Sequence, residues 1–313
     1  EGLALARQND DPERLCRILH TLGTVARNQG AYQQAETYHQ EGLQLARQLG
    51  DHELITIMLL GLGVDCGEQG RYEQEEACYR EGVTLARQVG DHEHLCELLI
   101  NLGQAVFARG DTTQAMAYSQ QALQLCRQIG YRYAMTTLLI NLGGLATEQK
   151  SYAQAEAYLQ EALEIARQME HRNRIGVSLV NLGVAATEQG NYAQAEAYLQ
   201  EALEIARQIM RHWLLCGALH AKGDLDLKLQ RFDEASGVFH ELKRISSEGN
   251  QEYQAVALYG LARVALGQGN IGEARELGQE GLRLLEMIGN RQAPEVRAWL
   301  QTLPSEKDDH RGK

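Results

Sequence analysis

The chain has 313 residues, with 42 acidic against 30 basic side chains and a formal charge of −12. A negative field of that sign repels phosphate backbones and anionic headgroups, so nucleic acid and membrane surfaces are not expected partners, and no apolar run reaches the ~20 residues of a bilayer span. Only 3 Pro and 3 Phe stand against abundant Ala, Leu, Glu, Gln and Arg, the composition of long helices, and without a charged-then-apolar leader the chain reads as soluble and cytoplasmic.

In chain order, EGLALARQ from Glu1 matches EGLQLARQ from Glu41, the end of a second helix, so residues 1–8 are expected to be a half repeat of something longer. Leu22-Gly23, Leu62-Gly63, Leu102-Gly103, Leu142-Gly143 and Leu182-Gly183 then recur every 40 residues, degrading to Lys222-Gly223 and Leu261-Ala262. The period places units near 12–50, 51–90, 91–130, 131–170, 171–210, 211–249 and 250–289. Each holds two amphipathic stretches with apolar positions three and four apart. In the third unit these run near Glu93 to Arg109 and Thr113 to Ile129.

The turn inside a unit is Gly30-Ala31-Tyr32, Gly70-Arg71-Tyr72, Gly110-Asp111-Thr112 or Gly190-Asn191-Tyr192, where Gly takes the left-handed conformation and the Tyr is expected to plug the gap between helices. Between units, Gly50-Asp51 and Gly90-Asp91 join a helix stop to an N-cap, punctuation that Glu170-His171-Arg172 lacks. The neighbouring units read SYAQAEAYLQEALEIARQ from Ser151 and NYAQAEAYLQEALEIARQ from Asn191, a recent duplication. A capping helix is expected over 294–302, and a disordered charged tail over 304–313.

Gly103 is followed by Ala115 and Ala122, and Gly183 by Ala195 and Ala202, at identical spacing. This resembles the tetratricopeptide repeat, lengthened beyond its usual ~34 residues and without its closing Pro. HEAT and armadillo arrays share the period but not this Gly and Ala spacing. The resemblance implies an all-α fold, a right-handed α-α superhelix of helix-turn-helix repeats in a single array over 1–303. Long units of this kind look like kinesin light chains, LGN/Pins-type adaptors and, given the near-identical neighbours, the sensor arrays of bacterial STAND signalling ATPases.

In the resembled family the first helix of each unit lines the concave wall. Carried over unit by unit, the wall collects Ile57, Leu60, Val64, Ile100, Phe107, Ile140, Val177, Val180 and Val184, with Gln104 among them, an apolar strip suited to a peptide, helix or partner domain. Asn101, Asn141 and Asn181 recur two residues before each Gly. Their amides either bind an extended peptide backbone or bond a neighbouring helix carbonyl. Charged wall positions gather toward the ends, with Arg17, His20 and Arg27 in the first unit and Asp224, Lys228 and Arg263 near the last, where solvation is the expected fate.

Five of the six cysteines are explained by repeat positions: Cys16, Cys96 and Cys216 share one with Thr56 and Thr136, Cys126 replaces Ala46 and Ala86, and Cys66 replaces Ala26 and Ala146. Free core thiols, not disulfides or metal ligands, are expected. Gly61-Leu62-Gly63 with Gly67 has the wrong spacing for a dinucleotide loop, and no phosphate-cradling Gly-Lys-Ser/Thr occurs. His92 and His94 fall on different helix faces, Arg109-Gly110-Asp111 is an inter-helix turn, and no nucleophile-base arrangement can be nominated. The chain therefore reads as a non-enzyme without cofactor or metal. Its expected role is the ligand-sensing array of a larger signalling protein, with a peptide or protein in the groove and an attached nucleotide-binding switch domain. The alternatives are a stand-alone adaptor bridging two partners, an architectural assembly, or the targeting region of an enzyme.

Overall fold

A computed structural model of the chain describes residues 11–246, 250–290 and 292–304. The half repeat expected over 1–8 and most of the charged tail lie outside them. The described residues form fifteen helices and no strand. In order these are α1 (Pro12–Asn28), α2 (Tyr32–Leu49), α3 (His52–Glu68), α4 (Tyr72–Val89), α5 (His92–Ala108), α6 (Thr112–Ile129), α7 (Arg132–Glu148) and α8 (Tyr152–Gln168). There follow α9 (Arg172–Gln189), α10 (Tyr192–Gln208), α11 (His212–Lys228), α12 (Phe232–Ser246), α13 (Gln251–Gly267), α14 (Ile271–Met287) and α15 (Ala293–Thr302). Odd-numbered helices up to α13 are the first of each pair, even-numbered ones the second. Where the sequence reads as one array, the chain divides into two compact units, 1–145 and 146–313.

Helix ends follow from the punctuation. Asp51 and Asp91 accept from the amides of Leu54 and His94 at 3.0 and 3.1 Å, satisfying donors with no intrahelical partner. Gly50 and Gly90, at φ 67° and 73°, end the preceding helices left-handed. The junction at Glu170-His171-Arg172 achieves the same geometry without Gly. Glu170 itself takes φ 52°, and His171 Nδ1 accepts from the Arg174 amide at 3.4 Å. Lys150, Met210 and Gln230 are likewise left-handed where earlier units use Gly.

Close approach of the two helices in a pair rests on the repeat Gly. A side chain seven residues into the second helix fills the space a Cβ would need. Tyr79 stands against Gly63, Leu199 against Gly183, and Phe239 between Gly223 and Gly260. This corrects the expectation for the turn tyrosines Tyr72 and Tyr192, which are exposed, whereas Phe232 at the equivalent position packs on the second unit's core and fills the space a Cβ at Gly267 would need. A second correction concerns sulfur. Cys96 and Cys126, expected as free thiols, form a disulfide between α5 and α6, because the repeat places these two positions face to face. Cys16, Cys66, Cys78 and Cys216 are thiols.

In the first unit Leu43, Leu54, Met58, Leu59 and Leu62 form a core between α2 and α3. In the second, a core runs from Leu159 and Leu163 through Leu179, Leu182 and Leu219 to Phe239 and Leu261. The helix α15 covers the end of the second unit by burying Val296 against Ala255 and Leu285.

Candidate protein-binding surface

Within each unit, successive first helices pack directly on one another: α1 on α3 and α3 on α5, then α9 on α11 and α11 on α13. No two second helices make comparable contact among the described residues. The first helices are therefore the more tightly spaced row, which puts them on the inside of each unit's curvature.

In the first unit this row carries Ile57, Leu60, Val64, Ile100, Phe107 and Ile140, all half-buried, with Asn101 and Asn141 half-buried and Gln104 exposed. In the second, Val177, Val180 and Asn181 are half-buried, and Val184 is exposed. The aliphatics thus offer one flank to solvent while the other packs inward. Val180, for example, packs against the second unit's core.

The asparagines follow neither expected alternative in full. Asn101 Nδ2 donates to Glu97 O at 3.0 Å and Asn181 Nδ2 to Val177 O at 2.9 Å, carbonyls four residues back in their own helices. A bond to the own helix fixes the rotamer and spends one of the amide's two N–H groups. The second N–H and the Oδ1 acceptor keep the chemistry that an extended backbone requires.

Of the charged wall residues, expected to be merely solvated, all but His20 are paired from one first helix to the next. Arg17 meets Glu53 at 3.5 Å and Arg27 meets Asp65 at 3.2 Å in the first unit. In the second, Arg263 meets Asp224 at 2.6 Å, His220 Nε2 lies 3.2 Å from the same carboxylate, and Lys228 meets Glu188 at 2.8 Å. Burial pushes the Asp224 carboxyl up, but the bonds and charges of His220 and Arg263 outweigh it and hold the group at about 2. Arg263 also lies 5.5 Å over the Tyr259 ring, which meets Trp299 of α15 edge-on at 5.2 Å. The inner row is consequently apolar and amide-rich, with its charges cancelled in place.

Sequence reasoning missed the fully buried Asp65, which accepts from His39 Nδ1 at 2.5 Å and from Arg27. It also missed buried Asp226, held by Lys222 at 2.5 Å, and buried Glu76, gripped by Arg80 and Arg109. The signal was present: Asp65 aligns with Ala105, Leu145 and Ala185, and Asp226 with Ala146 and Ala186. An acid at a position the other units keep apolar announces a partner.

No helix among the described residues is long and apolar enough to cross a membrane, and no group of three or more potential metal ligands converges among them. The RGD turn at Arg109-Gly110-Asp111 is a left-handed Gly110 followed by the N-cap Asp111, which accepts from the Gln114 amide at 3.0 Å.

Tetratricopeptide repeat family profiles match residues 14–88, 95–129, 133–208 and 214–287. No curated protein matches the chain. Among solved structures, the chain is similar to a signal transduction ATPase with numerous domains (STAND) from Pyrococcus horikoshii that has a tetratricopeptide repeat sensor. The TM-score is 0.72 at 16% identity, over 96% of this chain and 46% of that one, so the chain spans about half that protein's length. The apo form of RapI aligns at TM-score 0.71 and 14% identity over 88% of this chain and 98% of that one. A Rap protein complexed with competence and sporulation factor aligns at 0.59 and 16%, over 91% and 96%. At these identities the likeness concerns the fold.

Proposed function

Because this chain belongs to the tetratricopeptide repeat family, we propose that it is a protein-recognition array whose first-helix wall binds an apolar peptide or partner segment. Its role is that of the ligand-sensing part of a larger cytoplasmic signalling protein. The observation that carries the reading is made in each unit by itself: half-buried Ile57, Leu60, Val64, Ile100, Phe107 and Ile140 in the first and Val177 and Val180 in the second, beside the rotamer-fixed Asn101 and Asn181 respectively. Aliphatic flanks supply apolar area that only a docked segment can take from water. The free half of each amide supplies the paired donor and acceptor that an extended backbone presents. With charged wall residues already neutralised, binding draws on apolar burial and backbone bonding more than on charge.

The sensor assignment within that reading is supported by the STAND protein with a repeat sensor and by the Rap protein in complex with a signalling factor, both of which share the fold. In such a parent, an occupied groove would release an attached nucleotide-binding switch domain.

The test is a peptide-display selection on the full chain, followed by calorimetry on variants. Val184→Lys should abolish binding of the selected peptides, since that side chain is exposed and its loss spares the fold. Asn101→Ala should weaken them by about 1–3 kcal/mol. Peptides that bind both variants as tightly as the parent, with helicity unchanged, would remove the inner wall from the mechanism.

A further inference from the structure

We infer that the chain associates with a second copy of itself, a basic edge on the second unit of one copy docking on an acidic edge of the first unit of the other. The inference does not draw on the inner wall. It rests on one recurring place, the turn from the second helix of a pair to the first helix of the next. In the first unit two of these turns read Leu49-Gly50-Asp51-His52-Glu53 and Val89-Gly90-Asp91-His92-Glu93, each with two carboxylates and no Lys or Arg. The first unit's third turn, Ile129-Gly130-Tyr131-Arg132-Tyr133, carries a cation and no acid, which confines the acidic edge to the first two. In the second unit the turns Met169-Glu170-His171-Arg172-Asn173-Arg174 and Ile209-Met210-Arg211-His212-Trp213 carry three arginines against one carboxylate, Glu170.

The cations of the second unit's edge are not cancelled in place. On the second helices that lead into these turns, Arg167 meets Glu201 at 2.8 Å and Arg207 meets Glu241 at 3.3 Å. At the edge itself, Arg172 donates to the neutral Gln208 at 2.8 Å, and neither Arg211 nor His212 has a carboxylate partner among the described residues. The Arg172 bond also sets the start of α9 beside the end of α10, which leads into Met210, 81% exposed, and Trp213, 47% exposed. Met210 holds a left-handed backbone where Gly50, Gly90 and Gly130 serve the first unit. Arg211 stands at the start of α11 without a side-chain cap bond, where Asp51 and Asp91 each accept an amide. Both choices cost local stability and leave a large apolar side chain and a charge in water. Trp, Met and Arg are the side chains that protein interfaces favour.

The first unit offers the complement. Leu49 and Val89, the last residues of α2 and α4, are exposed, and the pair Arg47–Glu81 at 2.6 Å ties those two helices together. Glu93 is exposed and has no basic partner among the described residues. Leu49 and Val89 suit Met210 and Trp213, while Asp51, Asp91 and Glu93 suit Arg172, Arg211 and His212. With a formal charge of −12, two copies repel each other in most approaches, so a basic edge on one of them selects a single orientation.

The experiment is sedimentation equilibrium on the full chain, from low micromolar to the highest soluble concentration. The weight-average mass should rise above the 34.9 kDa of one chain and fall again in about 1 M salt, where the Debye length is about 3 Å. Arg211→Glu should weaken association about tenfold. Glu93→Arg should weaken it as much, although it brings the net charge nearer zero and would by itself favour association. Both sites are exposed, and circular dichroism checks that helicity is unchanged. Mixing the two variants should restore association, because the reversed pair is again of opposite sign. A chain that stays at one copy's mass at every concentration, as it would if an acidic segment of another protein were the occupant, would overturn the inference. So would association that Glu93→Arg leaves unchanged, or a mixture that associates no better than its components.

Discussion

His39 Nδ1 donates to Asp65 Oδ2 at 2.5 Å, and neither side chain has any contact with solvent. The ring is wedged between α1 and α3, where a Cβ at either Gly23 or Gly61 would fall within 2.6 Å of it. Arg27 supplies the compensating charge from the wall, 18% exposed. Removing one member of such a buried group leaves the others uncompensated. Asp65→Ala should therefore cost about 3–5 kcal/mol. Combining it with His39→Leu, the residue of the fourth and fifth pairs, should recover much of that, since Arg27 can turn to water. Urea denaturation of the two single variants and the double variant measures the coupling, and simple additivity would show there is none.

Acid should weaken the first unit through His20. Burial, then the neighbouring His39 and Arg27, pull its imidazole from 6.5 down to about 4. Between those values the unfolded chain takes up a proton that the folded chain refuses, so stability is present above about pH 6.5 and falls as pH drops toward 4. In His20→Leu, which copies Leu60, this stretch of the stability profile should flatten. Denaturation midpoints taken every half unit from pH 7 to 4 would reveal a slope that does not change.

Met210 holds φ 51° with its side chain 81% exposed, so it bears the steric cost of the left-handed region with little packing in return. Met210→Gly should raise stability by about 0.5–1 kcal/mol, the relief exceeding the added freedom of the unfolded chain. Glu170→Gly should behave alike. A lower thermal midpoint in both would count against strain at these turns.

Phe239 crowds two helical glycines, while a third in its own helix stands in open space. A Cβ at Gly223 would lie 2.5 Å from its Cζ, and one at Gly260 2.4 Å from its Cδ1, whereas nothing lies within 4 Å of a Cβ at Gly237. Gly223→Ala should cost about 1–3 kcal/mol by overpacking. Gly237→Ala should gain about 0.5–1 kcal/mol by lowering backbone entropy in a helix. Calorimetric unfolding of the pair should show opposite signs.

Helix boundaries, capping Asp residues and the left-handed glycines were legible in the chain because each depends on neighbours a few residues away. The first helix of the third pair runs His92–Ala108 and the second Thr112–Ile129, each within about a residue or two of where the periodicity put them. The junction at Glu170 was not legible: a carboxylate side chain carries no signal for positive φ, and the surrounding helices impose it. The exposure of Tyr72 and the burial of Tyr79 were also beyond local pattern, since both are aromatic at plausible helix positions and only the approach of α3 decides between them.

What the sequence by itself determined is the repeat: a 40-residue period of two amphipathic helices, with small residues where they meet. Periodicity suffices for this because each pair touches little beyond its neighbours. What only the tertiary structure decided is which polar and sulfur atoms meet. Asp65 finds His39 from 26 residues away, Arg263 finds Asp224 from 39, and Cys96 finds Cys126 from 30. Such contacts depend on side-chain direction across an interface, a quantity that spacing along one helix does not contain.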